Sequence, residues 1–371
     1  MKQALYFILI TALATLLIVG CGSNADSPEE ELFSQATPEP SPSQTPTPMP
    51  EPTLEPSPEP VYKTITIRGN EYCTSLTFIT LMGDEVTNED VMQLLNFTYL
   101  SDLSILFTSD IDLTPLSELT NLTVLDLRWN DISDLTPLRE LTSLEKLLLR
   151  GNRISDITPL TNLVNLEQLD LAGRNYISDI TPLRNLVALR ELDLSSLPRD
   201  EFGAVGDFSD AELLELAITY NPINDLTPLS HLINLEELTL VGKQFQDISP
   251  IAELRNLRRL SLSINQISDL APLSELHNLY LLELSHNTIT DLSSLSKLTN
   301  LEFLYLSSNQ ISDITPVYGL SNLRILNLDS NQIVDITSLS EIANLEQLFI
   351  RGNPITDWSP VAHIDNVWGR P

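Results

Sequence analysis

The sequence predicts a solenoid in which short parallel β-strands stack coil upon coil, preceded by an export segment and an extended spacer. Three observations carry that prediction. Aligned on itself, the chain repeats every 22 residues, as in "LTNLTVLDLRWNDISDLTPLRE" (119–140), "LTSLEKLLLRGNRISDITPLTN" (141–162) and "LTNLEFLYLSSNQISDITPVYG" (298–319), and a fixed period in this range marks stacked repeats. The fourth and seventh residues are Leu in all twelve units and the ninth is Leu or Ile, so each coil sends an apolar ridge inward around a short LxL strand. Before residue 60 the repeat is absent, and the chain there is first apolar and then rich in Pro, Ser, Thr and Glu.

In chain order, residues 1–20 read as a signal peptide: Lys2, then an apolar run from Ala4 to Val19 broken only by Thr11 and Thr15. As a helix, Ala4 to Gly20 would be roughly 25 Å long against a roughly 30 Å hydrocarbon core, which favours a removable leader over a membrane span. Ile18-Val19-Gly20-Cys21 resembles the bacterial lipobox. That resemblance implies cleavage after Gly20, a thioether lipid on Cys21, and attachment to the extracytoplasmic face of a bacterial cell membrane. Stable anchoring of this kind takes two or more acyl chains. Residues 21–60 then form a linker, "ATPEPSPSQTPTPMPEPTLEPSPEP". It buries too little to offset its ordering entropy and favours polyproline II, with a maximal reach of roughly 120 Å.

Residues 61–96 are expected to form an N-terminal cap and a degenerate repeat starting near Cys73, with Ile65 and Ile67 on cap strands and Cys73 as a buried or half-buried thiol. Residues 97–363 hold about twelve units, starting at Phe97, Leu119, Leu141, Leu163, Leu186, Asp210, Leu232, Leu254, Leu276, Leu298, Leu320 and Ile342. Residues 364–371 form a C-terminal cap through Ile364, Val367 and Trp368, since a bare solenoid end would expose apolar surface. The twelfth position is usually Asn (Asn130, Asn152, Asn221, Asn265, Asn287, Asn309, Asn331, Asn353), whose amide can satisfy backbone groups where the chain leaves the strand. Thr108 and Lys243 replace it in two units. At the sixteenth position an Asp precedes Thr-Pro in most units, a pattern suited to an Asx turn opening a short helical turn. The stretch "SSLPRDEFGAVGDFSD" (195–210) lacks both signatures and must leave the standard path.

The pattern LxxLxxLxLxxNxIxDIxPL over about residues 73–363 resembles the leucine-rich repeat, specifically the 22-residue bacterial class typified by the internalins. The resemblance implies a right-handed arc with a parallel sheet on its concave face and short 3₁₀ or irregular turns on its convex face. It also implies recognition, usually of a protein, through concave side chains. Fold alone does not name the ligand.

Function therefore rests on the residues that face outward from the concave sheet, the sixth, eighth, tenth, eleventh and thirteenth of each unit. In the C-terminal units Leu281, Phe303 and Ile325 fall in consecutive coils at the sixth position, with Tyr305 and Phe349 at the eighth; strands about 4.8 Å apart would make them one apolar and aromatic patch. Near the N-terminal end Arg128, Trp129, Lys146, Arg150 and Arg153 cluster on neighbouring strands, although residues 61–371 hold 19 Lys+Arg against 43 Asp+Glu, a balance of −24. Aromatic and Arg side chains are favoured interface anchors, so Arg128, Trp129, Lys146, Arg150, Tyr220, Leu281, Phe303, Tyr305, Ile325 and Phe349 are the candidate ligand-binding residues. The expected partner is a host or bacterial surface protein, with an envelope scaffold or cell-wall glycan binder as the alternative. The whole chain carries a net charge of −31, which argues against nucleic acid. No cofactor or metal is expected, and an enzyme is the weakest reading. His231, His277, His286 and His363 are in no ligand spacing, and neither a G-x-S-x-G elbow nor a phosphate-binding glycine loop occurs. Cys21 and Cys73 are the only cysteines; lipidation of Cys21 argues against a bridge between them.

Overall fold

A computed structural model describes residues 63–196 and 219–370. Among the described residues, those up to Leu76 form one unit and those from Thr77 onward another. In the first, β1 (Thr64–Ile67) and β2 (Asn70–Cys73) make an antiparallel hairpin. Arg68 and Gly69 lie between them with φ of +53° and +77°, the left-handed pair that a two-residue hairpin turn requires. Cys73 is disulfide-bonded, which corrects the expected thiol; Cys21 is the only other cysteine of the chain.

The second unit is the solenoid. Thirteen parallel strands run in chain order: β3 (Phe78–Met82), β4 (Asp102–Leu106), β5 (Val124–Asp126), β6 (Lys146–Leu148), β7 (Gln168–Asp170), β8 (Glu191–Asp193), β9 (Glu237–Thr239), β10 (Arg259–Ser261), β11 (Leu281–Glu283), β12 (Phe303–Tyr305), β13 (Ile325–Asn327), β14 (Gln347–Phe349) and β15 (Asn366–Trp368). A short helix, α1 (Asn88–Gln93), follows β3 and is opened by a capping box between Thr87 and Asp90. The degenerate first repeat thus supplies β3, and the C-terminal residues supply a full strand.

Each coil returns through a 3₁₀ turn such as Thr158–Asn162 or Thr315–Gly319. The sixteenth-position Asp opens it by accepting the N–H two residues on, at 2.8 Å for Asp134, Asp156 and Asp313. Hydrogen bonds from the Thr side chain and backbone hold these carboxyls below their ordinary range. The same bond recurs at Asp112, Asp179, Asp225, Asp247, Asp269, Asp291, Asp335 and Asp357, so this row is scaffold, as the repeat pattern predicts.

Inside the coils, the Leu ridges are fully buried: Leu282, Leu304 and Leu326 pair across β11, β12 and β13 at 0% exposure. Each such side chain contributes about 1.5–3 kcal/mol by leaving water. Between ridges runs the Asn ladder. Asn309 donates to Leu284 O and Leu306 O, both at 3.0 Å, and accepts from Ile289 N at 3.1 Å. A second ladder occupies the third position, where Asn278, Asn300, Asn322 and Asn344 donate to a carbonyl of the preceding coil at 2.8–2.9 Å.

The two substituted ladder positions are also satisfied. Thr108 N–H and Oγ1 both donate to Asn130 Oδ1 at 2.7 Å. Lys243, 7% exposed, donates from Nζ to Ser196 Oγ at 2.8 Å and Asn221 O at 3.1 Å. Burial pushes its ammonium well below the ordinary lysine value.

One expected unit does not take its place in the sheet. β8 pairs directly with β9, Glu191 opposite Glu237, so the unit starting at Asp210 adds no strand between them; its Leu213, Leu216 and Ile218 lie outside the described residues. Asn221 instead serves the coil begun at Leu186, donating to Leu171 O at 2.9 Å and accepting from Ile177 N at 3.1 Å. The second ladder agrees, since Asn234 donates to Val187 O at 2.8 Å.

Candidate functional site: the concave sheet face

The strand register aligns outward-facing residues into two rows. The sixth-position row reads Arg259, Leu281, Phe303, Ile325, Gln347, Asn366 from β10 to β15, and the eighth-position row Ser261, Glu283, Tyr305, Asn327, Phe349, Trp368. Leu281, Phe303, Ile325 and Tyr305 are half-buried and contiguous, so the predicted apolar patch is present on β11 to β13. Tyr280 adds an edge-on ring 6.4 Å from Phe303, and the Arg324 guanidinium lies 6.0 Å from the Phe303 ring centre. Burial pushes the Tyr305 hydroxyl above its ordinary pKa. Phe349 belongs elsewhere: Asn327 stands between it and Tyr305 in the row, and it stacks on Trp368 at 4.3 Å with an interplanar angle of 5°.

At the other end the predicted basic cluster is neutralised from within. Arg128 folds onto Asp126, Nη2 to Oδ2 at 2.7 Å. Arg150 reaches across two strands to Asp170 at 2.9 Å and Asp193 at 2.8 Å, leaving its side chain 15% exposed. Arg153 pairs with Asp131 at 3.0 Å. The Arg128 and Arg150 pairs are largely buried and offer little charge to a ligand, whereas the Arg153 pair is exposed. Burial and the nearby Asp193, against the pull of Arg150, push the Asp170 carboxyl up to about 6.

Trp129 lies over the next coil: a Cβ on Gly151 would come within 2.4 Å of its ring. Lys146, half-buried in the row between Val124 and Gln168, makes no ion pair among the described residues. Tyr220 packs on Tyr176 at 5.6 Å, away from the β11–β13 patch. Reading acidic as well as basic residues at the eighth position would have revealed Asp126, Asp170 and Asp193. Trp368 follows Phe349 by 19 residues rather than 22, so periodicity did not place it in this row and only the register of β15 on β14 does.

Among the described residues no group of three or more His, Cys, Asp or Glu side chains could hold a metal ion, and no helix is long and apolar enough to cross a membrane. The chemistry on offer is that of a binding face: apolar and aromatic side chains half-exposed on a rigid sheet.

Comparison with known proteins agrees. Models described as "Leucine Rich repeats (2 copies)" match residues 142–185, 255–297, 281–320, 299–341 and 321–363, and one described as "Leucine Rich repeat" matches 118–135. These models describe repeats rather than a catalytic fold. No curated protein sequence matches the chain. Among solved structures, an internalin, InlF from Listeria monocytogenes, is 31% identical over 81% of this chain and 89% of its own, with a TM-score of 0.65. The plant peptide hormone receptor RGFR1, solved with RGF2, is 19% identical over 80% of this chain and 48% of its own, with a TM-score of 0.59. TLR13, solved with single-stranded RNA, is 26% identical over 76% of this chain and 41% of its own, with a TM-score of 0.58. The chain belongs to the leucine-rich repeat proteins of the internalin type. Those two neighbours were solved with ligands as different as a peptide hormone and an RNA, so the shared fold does not name a ligand.

Proposed function

We propose that this chain is a lipid-anchored protein of the bacterial cell surface that recognises a protein ligand through its concave face. The observation that carries the reading is the row Leu281, Phe303, Ile325 with Tyr305 beside it, half-exposed in register on β11 to β13. Contiguous apolar and aromatic surface on a rigid sheet is the anchor chemistry of protein interfaces. The ligand is a host or bacterial surface protein. Binding by the full chain should fall at least roughly tenfold, about 1.4 kcal/mol, when Phe303→Ala and Tyr305→Ala are combined. It should survive Tyr318→Ala, which alters a residue 57% exposed on the 3₁₀ turn Thr315–Gly319. Equal losses from both variants would remove the concave face from the account.

Anchoring rests on Ile18-Val19-Gly20-Cys21 and the proline-rich stretch behind it. One sulfur cannot carry both a thioether and a disulfide, so lipidation of Cys21 and a Cys21–Cys73 bridge exclude each other. Mass spectrometry of the mature chain without reduction separates the outcomes. A diacylglyceryl Cys21 supports the anchor, and an intact Met1 or a Cys21–Cys73 bridge overturns it.

A further inference from the structure

The C-terminal end of the concave face carries a second constellation, distinct in chemistry from the apolar patch. Phe349 and Trp368 stack almost coplanar. β15 is the outermost strand of the sheet among the described residues, so the second face of the half-buried indole is turned away from Phe349. Gly369 holds it there: a Cβ at this position would lie 2.9 Å from Arg351 N and Ile350 C, so the backbone after Trp368 can close onto β14 only without a side chain. Two residues before Trp368, Asn366 lines a cleft of about 660 Å³ shared with Glu302, Arg324, Asn344, Glu346 and Asp365.

The charge pattern of this cleft selects among ligands. Arg324 donates to both Glu346 oxygens, at 2.9 and 3.1 Å, and its Nη1 lies 3.6 Å from Glu302. The place a cationic ligand would take between these carboxylates is therefore filled by the protein's own guanidinium. Glu302, Glu346 and Asp365 outnumber Arg324 and the His363 imidazole on the lining, and this acidic excess repels an anion. What remains is a lining of acceptors and amides that ends at Asn366, two residues before Trp368 on the same strand. Such a lining can hydrogen-bond to hydroxyls, which both donate and accept, while the negative face of the indole attracts the polarised C–H groups of a pyranose. We infer that Trp368, Asn366 and the Arg324–Glu346 cleft form a binding site for a neutral glycan at the end of the concave sheet. This goes beyond the protein-recognition reading and meets its patch only at Arg324, which lies by the Phe303 ring.

Calorimetric titration of the full chain in detergent with cellohexaose, chitohexaose and hexagalacturonic acid tests the site. At least one neutral hexamer should bind saturably, and the anionic hexamer should not. Trp368→Ala should weaken the neutral hexamer by roughly tenfold or more, about 1.4 kcal/mol, and Trp368→Phe should largely restore it. If Trp368→Ala fails to fold by circular dichroism, Asn366→Ala decides by the same loss. Binding of neither neutral hexamer, equal binding of the anionic one, or an unaffected variant would overturn the assignment.

Discussion

Asp170 shows how a single side chain can be misjudged from its neighbours in sequence. It meets Arg150 at 2.9 Å, yet its carboxyl is raised to about 6 because burial outweighs the pairing. A carboxyl whose folded pKa lies above its unfolded value binds its proton more tightly when folded. The stability it contributes is present below about pH 4 and is lost as the pH rises through 6. The difference in urea midpoint between wild type and Asp170→Asn should therefore change across pH 4 to 6, by up to roughly 3 kcal/mol in free energy. The turn carboxyls such as Asp156, whose pKa is lowered, act in the opposite sense at lower pH and are common to both chains. Parallel profiles for the two proteins would show that Asp170 does not titrate in that window. Ile264 offers a second residue-scale test. The eleventh position is left-handed coil after coil, and Ile264 occupies it with φ of +57°, a conformation costly for a β-branched side chain. Ile264→Asn should raise stability by about 1 kcal/mol, measured as an increased urea midpoint; a decrease would mean that its packing outweighs the strain.

At the scale of the element, the two Asn ladders differ in what they satisfy. Asn309 serves Leu284 O, Leu306 O and Ile289 N inside the coil, whereas Asn300 donates to His277 O at an exposed edge. Water can replace the second bond but not the first three. Asn309→Ala should cost roughly 3 kcal/mol or more and Asn300→Ala about 1 kcal/mol or less, measured by denaturant unfolding. Equal costs would put the ladders on the same footing. The twelfth-position ladder and the Asp row were legible in the sequence because every coil repeats one role with one residue type. The basic cluster was not legible, because what neutralises Arg150 lies 20 and 43 residues downstream, a pairing that only sheet register creates. The C-terminal patch was half legible: periodicity placed Leu281, Phe303 and Ile325 side by side, but the stacking of Phe349 on Trp368 depended on the last residues folding as a further strand rather than as a simple cap.

For the molecule as a whole, the decisive departure is the coil running from Leu186 to His231. Its length in sequence is that of two units, and Leu213, Leu216 and Ile218 repeat the ridge spacing, yet β8 and β9 are neighbours. Ser196 donates to Tyr220 O at 2.6 Å and Gly242 O at 3.0 Å, and Lys243 joins Ser196 to Asn221. The chain thus leaves and re-enters the coil at one polar knot. Solenoid stability is close to a sum over coils and their neighbour interfaces, so a segment that adds no strand between two coils should contribute little to it. Joining Ser196 directly to Asn221 restores the ordinary spacing from the last Leu of the strand to the ladder Asn, as from Leu149 to Asn152. This deletion should leave one cooperative thermal transition, with a midpoint within a few degrees of the full chain. The buried Lys243 should matter more than the deleted stretch: Lys243→Met removes two donors from a knot of carbonyl and hydroxyl acceptors and should cost about 1–3 kcal/mol. If the deletion instead lowers the midpoint strongly or splits the transition, residues 197–220 contribute to the stability of the solenoid without adding a strand between β8 and β9.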